Sequence, residues 1–349
     1  MISSSAIRHI RKILATKKLP PPLYNYFLLE SYKLSHNVCL IHPARFLNGA
    51  GRGLKEFSKK ILTDPDFKVL HFEAKSKIFF PGTDIKGGIC ISYHKQGANF
   101  GPIGTWSKNK ELLPIKKRVE NSENYASLNT IMHAYSSYSL NESLFEDFPH
   151  LLTATHIVKG EKKLKLSNKK IITTGIFDLF PELFLTENPQ NSEEYCCLVG
   201  RSKGKRCYRW ISHKYINCGE NYYKYKVILS KSNGSGELGE ALSSPFIAEP
   251  FTGFTQTFLC IGAFDTKKEA ENAMKYIKTK FARVMLGVLK VTQDNPPEKW
   301  RYVPLQDFTA ASDIDWSASI PDIDRQLYNK YGLSQEEIDF IEEKVRAMD

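Results

Sequence analysis

The chain has 349 residues, 42% hydrophobic and 25% charged, with a mean hydropathy of −0.36. It is long enough for two domains with real cores, and too apolar for a disordered chain. No apolar run approaches the roughly 20 residues that span a bilayer, so no membrane partner is expected. The formal net charge of +11 favours an anionic partner, nucleic acid being the commonest, over charge kept only for solubility. Seven cysteines form no Cys-x-x-Cys pair and no zinc spacing, so reduced thiols in a cytoplasmic protein are expected.

Residues 1–22 carry Arg8, Arg11, Lys12, Lys17 and Lys18 and no acid. They lack the apolar stretch of a secretory signal; a basic helix or tail is expected, with a transit peptide as the alternative. The run Asn37-Val38-Cys39-Leu40-Ile41 predicts a strand. Being apolar throughout, it is expected in the middle of a sheet, covered on both faces. Leu54, Phe57, Ile61 and Leu62 form the stripe of a helix, and Lys68–Phe72 and Gly88–Tyr93 predict two more strands. Together these suit the far edge of an α/β sheet.

Composition shifts after about residue 97. Residues 151–230 hold fourteen Lys or Arg against seven Asp or Glu. Within them Arg201-Ser202-Lys203-Gly204-Lys205-Arg206-Cys207-Tyr208-Arg209-Trp210 interleaves cations with aromatics. Ser232–Gly236 predicts a loop. Thr266 with Glu269 is a capping box opening a helix that runs to Arg283, and Ser334 with Glu337 opens a last helix carrying Ile338, Ile341 and Val345. No internal repeat is present.

Three short patterns suggest chemistry and have plainer readings. Gly49-Ala50-Gly51-Arg52-Gly53 could cradle a cofactor, but its spacing is not G-x-G-x-x-G and a surface loop fits better. Asp294-Asn295-Pro296-Pro297-Glu298 imitates the catalytic tetrapeptide of an amino-methyltransferase, but Glu298 stands where an aromatic must stack on the base, so a turn is expected. Asp84-Ile85-Lys86 has a nuclease-like spacing without a partnering acid.

Two longer segments carry a resemblance. Leu23-Tyr24-Asn25-Tyr26-Phe27, Leu40 to Leu47 and Phe79 to Gly88 resemble the stretch of a gamma-type N6-adenine DNA methyltransferase just after its catalytic motif. Gly253 to Phe258, Glu269 to Asn272, Tyr276 to Arg283, Val303 to Thr309 and Asp313 to Ser317 resemble the target-recognition region of such enzymes, including the fused type IIG ones. The similar stretches cover residues 23–95 and 253–349; residues 100–250 match only in character. The resemblance implies the fifth, sixth and seventh strands of a Rossmann-like methyltransferase sheet, followed by a mixed α+β target-recognition domain and C-terminal helices. The implied boundaries are 1–22, 23–97, 98–312 and 313–349.

The family's aromatic-x-Gly-x-Gly loop and Asn-Pro-Pro-Tyr motif do not occur in this sequence. The resemblance is therefore to a C-terminal half: a split subunit, an interrupted gene product or a cloned fragment. It implies DNA target recognition in a bacterial restriction-modification system, with S-adenosylmethionine serving the complete enzyme and no cofactor bound by this chain. Phe80, before Pro81, matches the family position near a flipped adenine, with a core role as the alternative. Arg201, Lys203, Lys205, Arg206, Arg209 and Lys214 are the candidate contacts to double-stranded DNA, with Lys231 and Gln256 beside them. Rival readings are an active methyltransferase holding its cofactor at Gly49–Gly53, and an RNA-binding protein. The exposed end of the partial sheet is expected to pair with an upstream methyltransferase half or a second copy, or to be capped by residues 1–19, where Ile7, Ile10, Ile13 and Leu14 share a helical stripe.

Overall fold

A computed structural model describes residues 22–49, 53–157 and 163–348. The chain is mixed α/β and divides into two compact units between Leu113 and Pro114, further along than the composition shift near residue 97. The stripe at Ile7–Leu14 and the centre of the Gly49–Gly53 loop lie outside the described residues. Among the described residues no helix is long and apolar enough to cross a membrane.

The first unit is built on three strands, β1 (Asn37–Pro43), β2 (Phe67–Glu73) and β3 (Ile89–Lys95), in the order β1-β3-β2. β3 runs antiparallel to both neighbours, so β1 and β2 point the same way. Two strands that point the same way need a crossover, and helix α2 (Lys55–Leu62) supplies it. Its stripe is the predicted one: Leu54, Phe57, Ile61 and Leu62 are buried. Helix α1 (Tyr24–Leu34) adds Leu28 to the same core, around Phe46, Phe67 and Cys90. The β2–β3 loop closes tightly at Gly88 (φ +74°), where a Cβ would lie 2.5 Å from the Glu73 carbonyl.

The expectation for β1 is not met. Among the described residues β1 is an edge strand, and one face only is covered. Val38 and His42 are buried, His42 stacking on Tyr24 and its Nε2 lying 2.7 Å from Ser92 Oγ. Cys39 is exposed and Ile41 keeps 51% of its surface. An unbroken apolar run does not distinguish one covered face from two; the alternation of burial does.

The second unit holds the larger core. A four-stranded sheet has the order β12-β11-β14-β4, with β4 (Met132–His133), β11 (Tyr225–Ser230), β12 (Phe246–Ala248) and β14 (Phe258–Phe264). A three-stranded sheet has β8 (Tyr195–Ser202) between β9 (Lys205–Ser212) and β13 (Thr252–Phe254), β13 parallel and β9 antiparallel to it. Two small antiparallel pairs complete the strands: β5 (Tyr138–Leu140) with β10 (Ile216–Cys218), and β6 (Thr155–Ile157) with β7 (Lys163–Lys165).

Both predicted capping boxes form, at Thr266 with Glu269 and at Ser334 with Glu337. The helix expected to run from Thr266 to Arg283 breaks in two, α4 (Lys267–Lys278) and α5 (Lys280–Gly287). Thr279 turns extended (ψ 150°) and caps α5, its hydroxyl accepting from Ala282 N at 3.1 Å. Asp324, on α6 (Ile320–Lys330), completes the cap: its carboxylate accepts from the backbone N–H of Lys280 at 3.0 Å and of Phe281 at 2.8 Å. Burial pushes this carboxyl up to about 6, against the pull of those two N–H groups.

Asp324→Ala removes both acceptors and strands one buried and one half-buried N–H group at the start of α5. We expect a loss of about 2–4 kcal/mol in urea unfolding; a loss below 0.5 kcal/mol would show that the cap does not hold the helix break together.

Candidate nucleic-acid interface

The interleaved cations lie on one hairpin. β8 and β9 pair without a slip from Tyr195↔Ser212 to Ser202↔Lys205. The connection is two residues, Lys203 (φ +47°) and Gly204 (φ +77°), the pattern of a type I′ turn. Glycine suits the second position. Lysine at the first is unusual, because a side chain with Cβ is strained at positive φ and asparagine is the common choice.

The base of the hairpin is fixed by burial and its tip by one acid. Cys196, Leu198, Val199 and Ile211 are fully buried. Gly200 has no room for a side chain: a Cβ would lie 2.3 Å from the Phe177 ring and 2.8 Å from the Thr255 methyl. Asp178, on the short helix α3 (Ile176–Leu179), binds the turn from below. One carboxylate oxygen accepts from Ser202 Oγ at 2.5 Å, the other from Lys203 N at 3.2 Å. These bonds, the Ser202 hydroxyl first, hold the Asp178 carboxyl below the usual carboxylate range.

Strand alternation then sorts the tip. Arg201 and Arg206 are directly paired and share a face with Tyr208, which keeps 41% of its surface. Lys203 and Lys205 complete an exposed cluster of four cations within six residues. Among the described residues none of the four is in an ion pair. Like charges directly opposite each other destabilise a strand pair. Among the described residues Arg206 has neutral partners: its Nη2 donates to the Ser244 carbonyl at 2.9 Å, and its guanidinium lies 4.2 Å from the centroid of the Phe246 ring.

The remaining sequence candidates are elsewhere. Arg209 lies further down β9, half-buried, over the Phe177 ring at 6.0 Å. Lys214 is in an ion pair with Asp147 at 2.5 Å, which raises its pKa. Lys231 sits over the Tyr135 ring at 5.2 Å, and its N–H donates to the Thr257 carbonyl beside Gln256. Phe80 and Phe79 are both exposed, at 41% and 42%, so neither is a core residue. Asp178, Ser244 and Phe246 escaped sequence reasoning. Nothing local marks them; they matter only because the fold brings them to the hairpin.

Three short patterns singled out in the sequence lie outside the hairpin. Asp84 and Lys86 form an exposed ion pair at 2.7 Å. Asn295 is buried, its N–H bonding to the Lys231 carbonyl, and Pro297 begins a single 3-10 turn. Gly49 spends its N–H on the Phe46 carbonyl at 3.0 Å, an amide a cofactor loop would have to offer.

Comparison with known proteins gives two likenesses. The Eco57I restriction-modification methylase family matches residues 6–79. The crystal structure of the type IIG restriction endonuclease BpuSI aligns with 99% of this chain at 9% identity and a TM-score of 0.30. The alignment covers 53% of that protein, so this chain spans about half its length. Against curated proteins the chain finds no match.

Lys203→Asn should relieve the turn. We expect the variant to gain about 0.5–1 kcal/mol in urea unfolding; a loss of stability would mean that the turn does not carry strain at this position.

Proposed function

We propose that this chain recognises double-stranded DNA as the target-recognition part of a bacterial restriction-modification adenine-N6 methyltransferase. One observation carries the reading: four exposed cations, none in an ion pair among the described residues, are gathered on the tip of one hairpin, two directly opposed. A polyanion relieves that repulsion, and the phosphates of a duplex supply the negative charge. A two-stranded ribbon also fits the major groove, about 12 Å wide.

The restriction-modification context rests on other support. The likeness to the Eco57I methylase family falls on residues 6–79. The first unit's sheet, two like-directed strands with an antiparallel one between them, suits the end of a Rossmann-like sheet. Its β1 edge is open among the described residues, which suits strands supplied by an upstream half or a second copy. Phe80, exposed beside Pro81, remains our candidate contact to a flipped adenine. S-adenosylmethionine supplies the methyl group to the complete enzyme. We assign it to no residue described here, and we place the protein in the bacterial cytoplasm.

In this scheme the chain's own residues bind and orient. Arg201, Lys203 and Lys205 contact phosphates, Arg206 faces the groove, and Asp178 fixes the turn that presents them. Arg209 adds a supporting charge. Lys214, engaged by Asp147, and Lys231 with Gln256 lie outside this cluster.

Duplex binding should weaken with salt. Three phosphate contacts predict a slope of log K against log salt of about −2.7, and Lys203→Ala with Lys205→Ala should flatten it by about 2. Fluorescence anisotropy on a mixed-sequence duplex measures both, with an RNA duplex as competitor. Absence of duplex binding, or a slope the double variant leaves unchanged, would contradict the reading; preference for RNA would favour the rival.

A further inference from the structure

Among the tip cations, one is oriented before any ligand arrives. Among the described residues the Arg201 side chain has no hydrogen bond or ion pair, and the Lys203 and Lys205 side chains are exposed. Arg206 differs. Its guanidinium lies on the Phe246 ring at 4.2 Å and donates from Nη2 to the Ser244 carbonyl at 2.9 Å. That carbonyl is itself held. Ser244 sits at φ +42°, strained for a residue with a side chain. Its neighbour Ser243 donates its N–H to Asn233 Oδ1 at 2.5 Å. Asn233 is 4% exposed; its amide donates to the Ala241 carbonyl at 3.1 Å, and its own carbonyl accepts from buried Lys290 Nζ at 2.9 Å. A buried network thus ends on one exposed guanidinium.

We infer that Arg206 is the specificity-determining residue of the hairpin, reading a guanine in the major groove, while Arg201, Lys203 and Lys205 bind phosphate. The inference rests on the DNA reading above. A guanidinium has five N–H donors in a planar fork, and guanine offers O6 and N7 as a matching pair of acceptors. The Ser244 carbonyl occupies one Nη2 hydrogen. Whichever of the two it is, one complete fork remains, either the end pair Nη1 and Nη2 or the side pair Nε and Nη2. A fork fixed in advance loses little freedom on binding, whereas Arg201 must be ordered by the DNA itself. Reading requires placement to a fraction of an ångström; phosphate contact requires only charge.

The experiment is selection from a randomised duplex pool followed by sequencing, with the full chain as wild type, Arg206→Lys, Phe246→Leu and Arg201→Lys. Circular dichroism and thermal melting control for folding, and Arg206→Lys alters only an exposed side chain. Wild type is expected to select a site containing an invariant guanine. Arg206→Lys should lower the preference for that guanine roughly 10- to 100-fold while bulk affinity changes less than about threefold. Phe246→Leu, which keeps every charge, should relax the same position. Arg201→Lys should leave the preference intact. A wild type that selects a site which Arg206→Lys reads equally well overturns this inference and leaves duplex recognition standing. A wild type that binds no duplex overturns the DNA reading and this inference with it.

Discussion

The proposal for this protein depends on two arginines forced to face each other. Arg201 and Arg206 are opposed because β8 and β9 are locked in register by a buried base, by the missing side chain at Gly200 and by Asp178 under the turn. A hairpin free to slip by one residue would swing its cations to opposite faces. Here the slip would drive Leu198 and Ile211 out of the core, so burial of apolar surface maintains an arrangement that electrostatics alone disfavours. Burial at one end of a ribbon thus sustains charge concentration at the other.

The same economy appears around the hairpin. Two groups of buried polar side chains hold loops and helix ends in place. Lys290 and Asn233 fix the loop that holds Arg206, and Asp324 fixes the break between α4 and α5. The three groups that come close enough to suggest a metal, Asp64, Asp66 and His94, are engaged in a local tie between strand ends: Asp66 accepts from Gly97 N and Asn99 N, and His94 pairs with Asp64 at 3.4 Å.

Local signals in the sequence were legible where the physics is local. The two capping boxes and the stripe of α2 follow from residues a few positions apart, and all are present. The hairpin's charge was legible as interleaved cations, but not its register, nor the partners Ser244 and Phe246, which lie some forty residues away in sequence. The one-sided cover of β1 was not legible, because an apolar run does not reveal which face a helix covers. The segments that resemble a target-recognition region are mostly interior: Phe254 and Phe258 lie in the core, Tyr276 Oη bonds to the Pro304 carbonyl at 2.6 Å, and Trp316 packs on Phe308. Likeness in sequence therefore tracks the scaffold, whereas the candidate reading residues fall in the stretch that resembles the family only in character.

Amide hydrogen exchange with and without duplex DNA tests the central claim most directly, because it reports on the tip itself. The account predicts that DNA protects residues 201–206 and the loop at 243–245, with protection that fades as salt rises. Protection elsewhere on the chain, with the hairpin tip exchanging as in free protein, would contradict it.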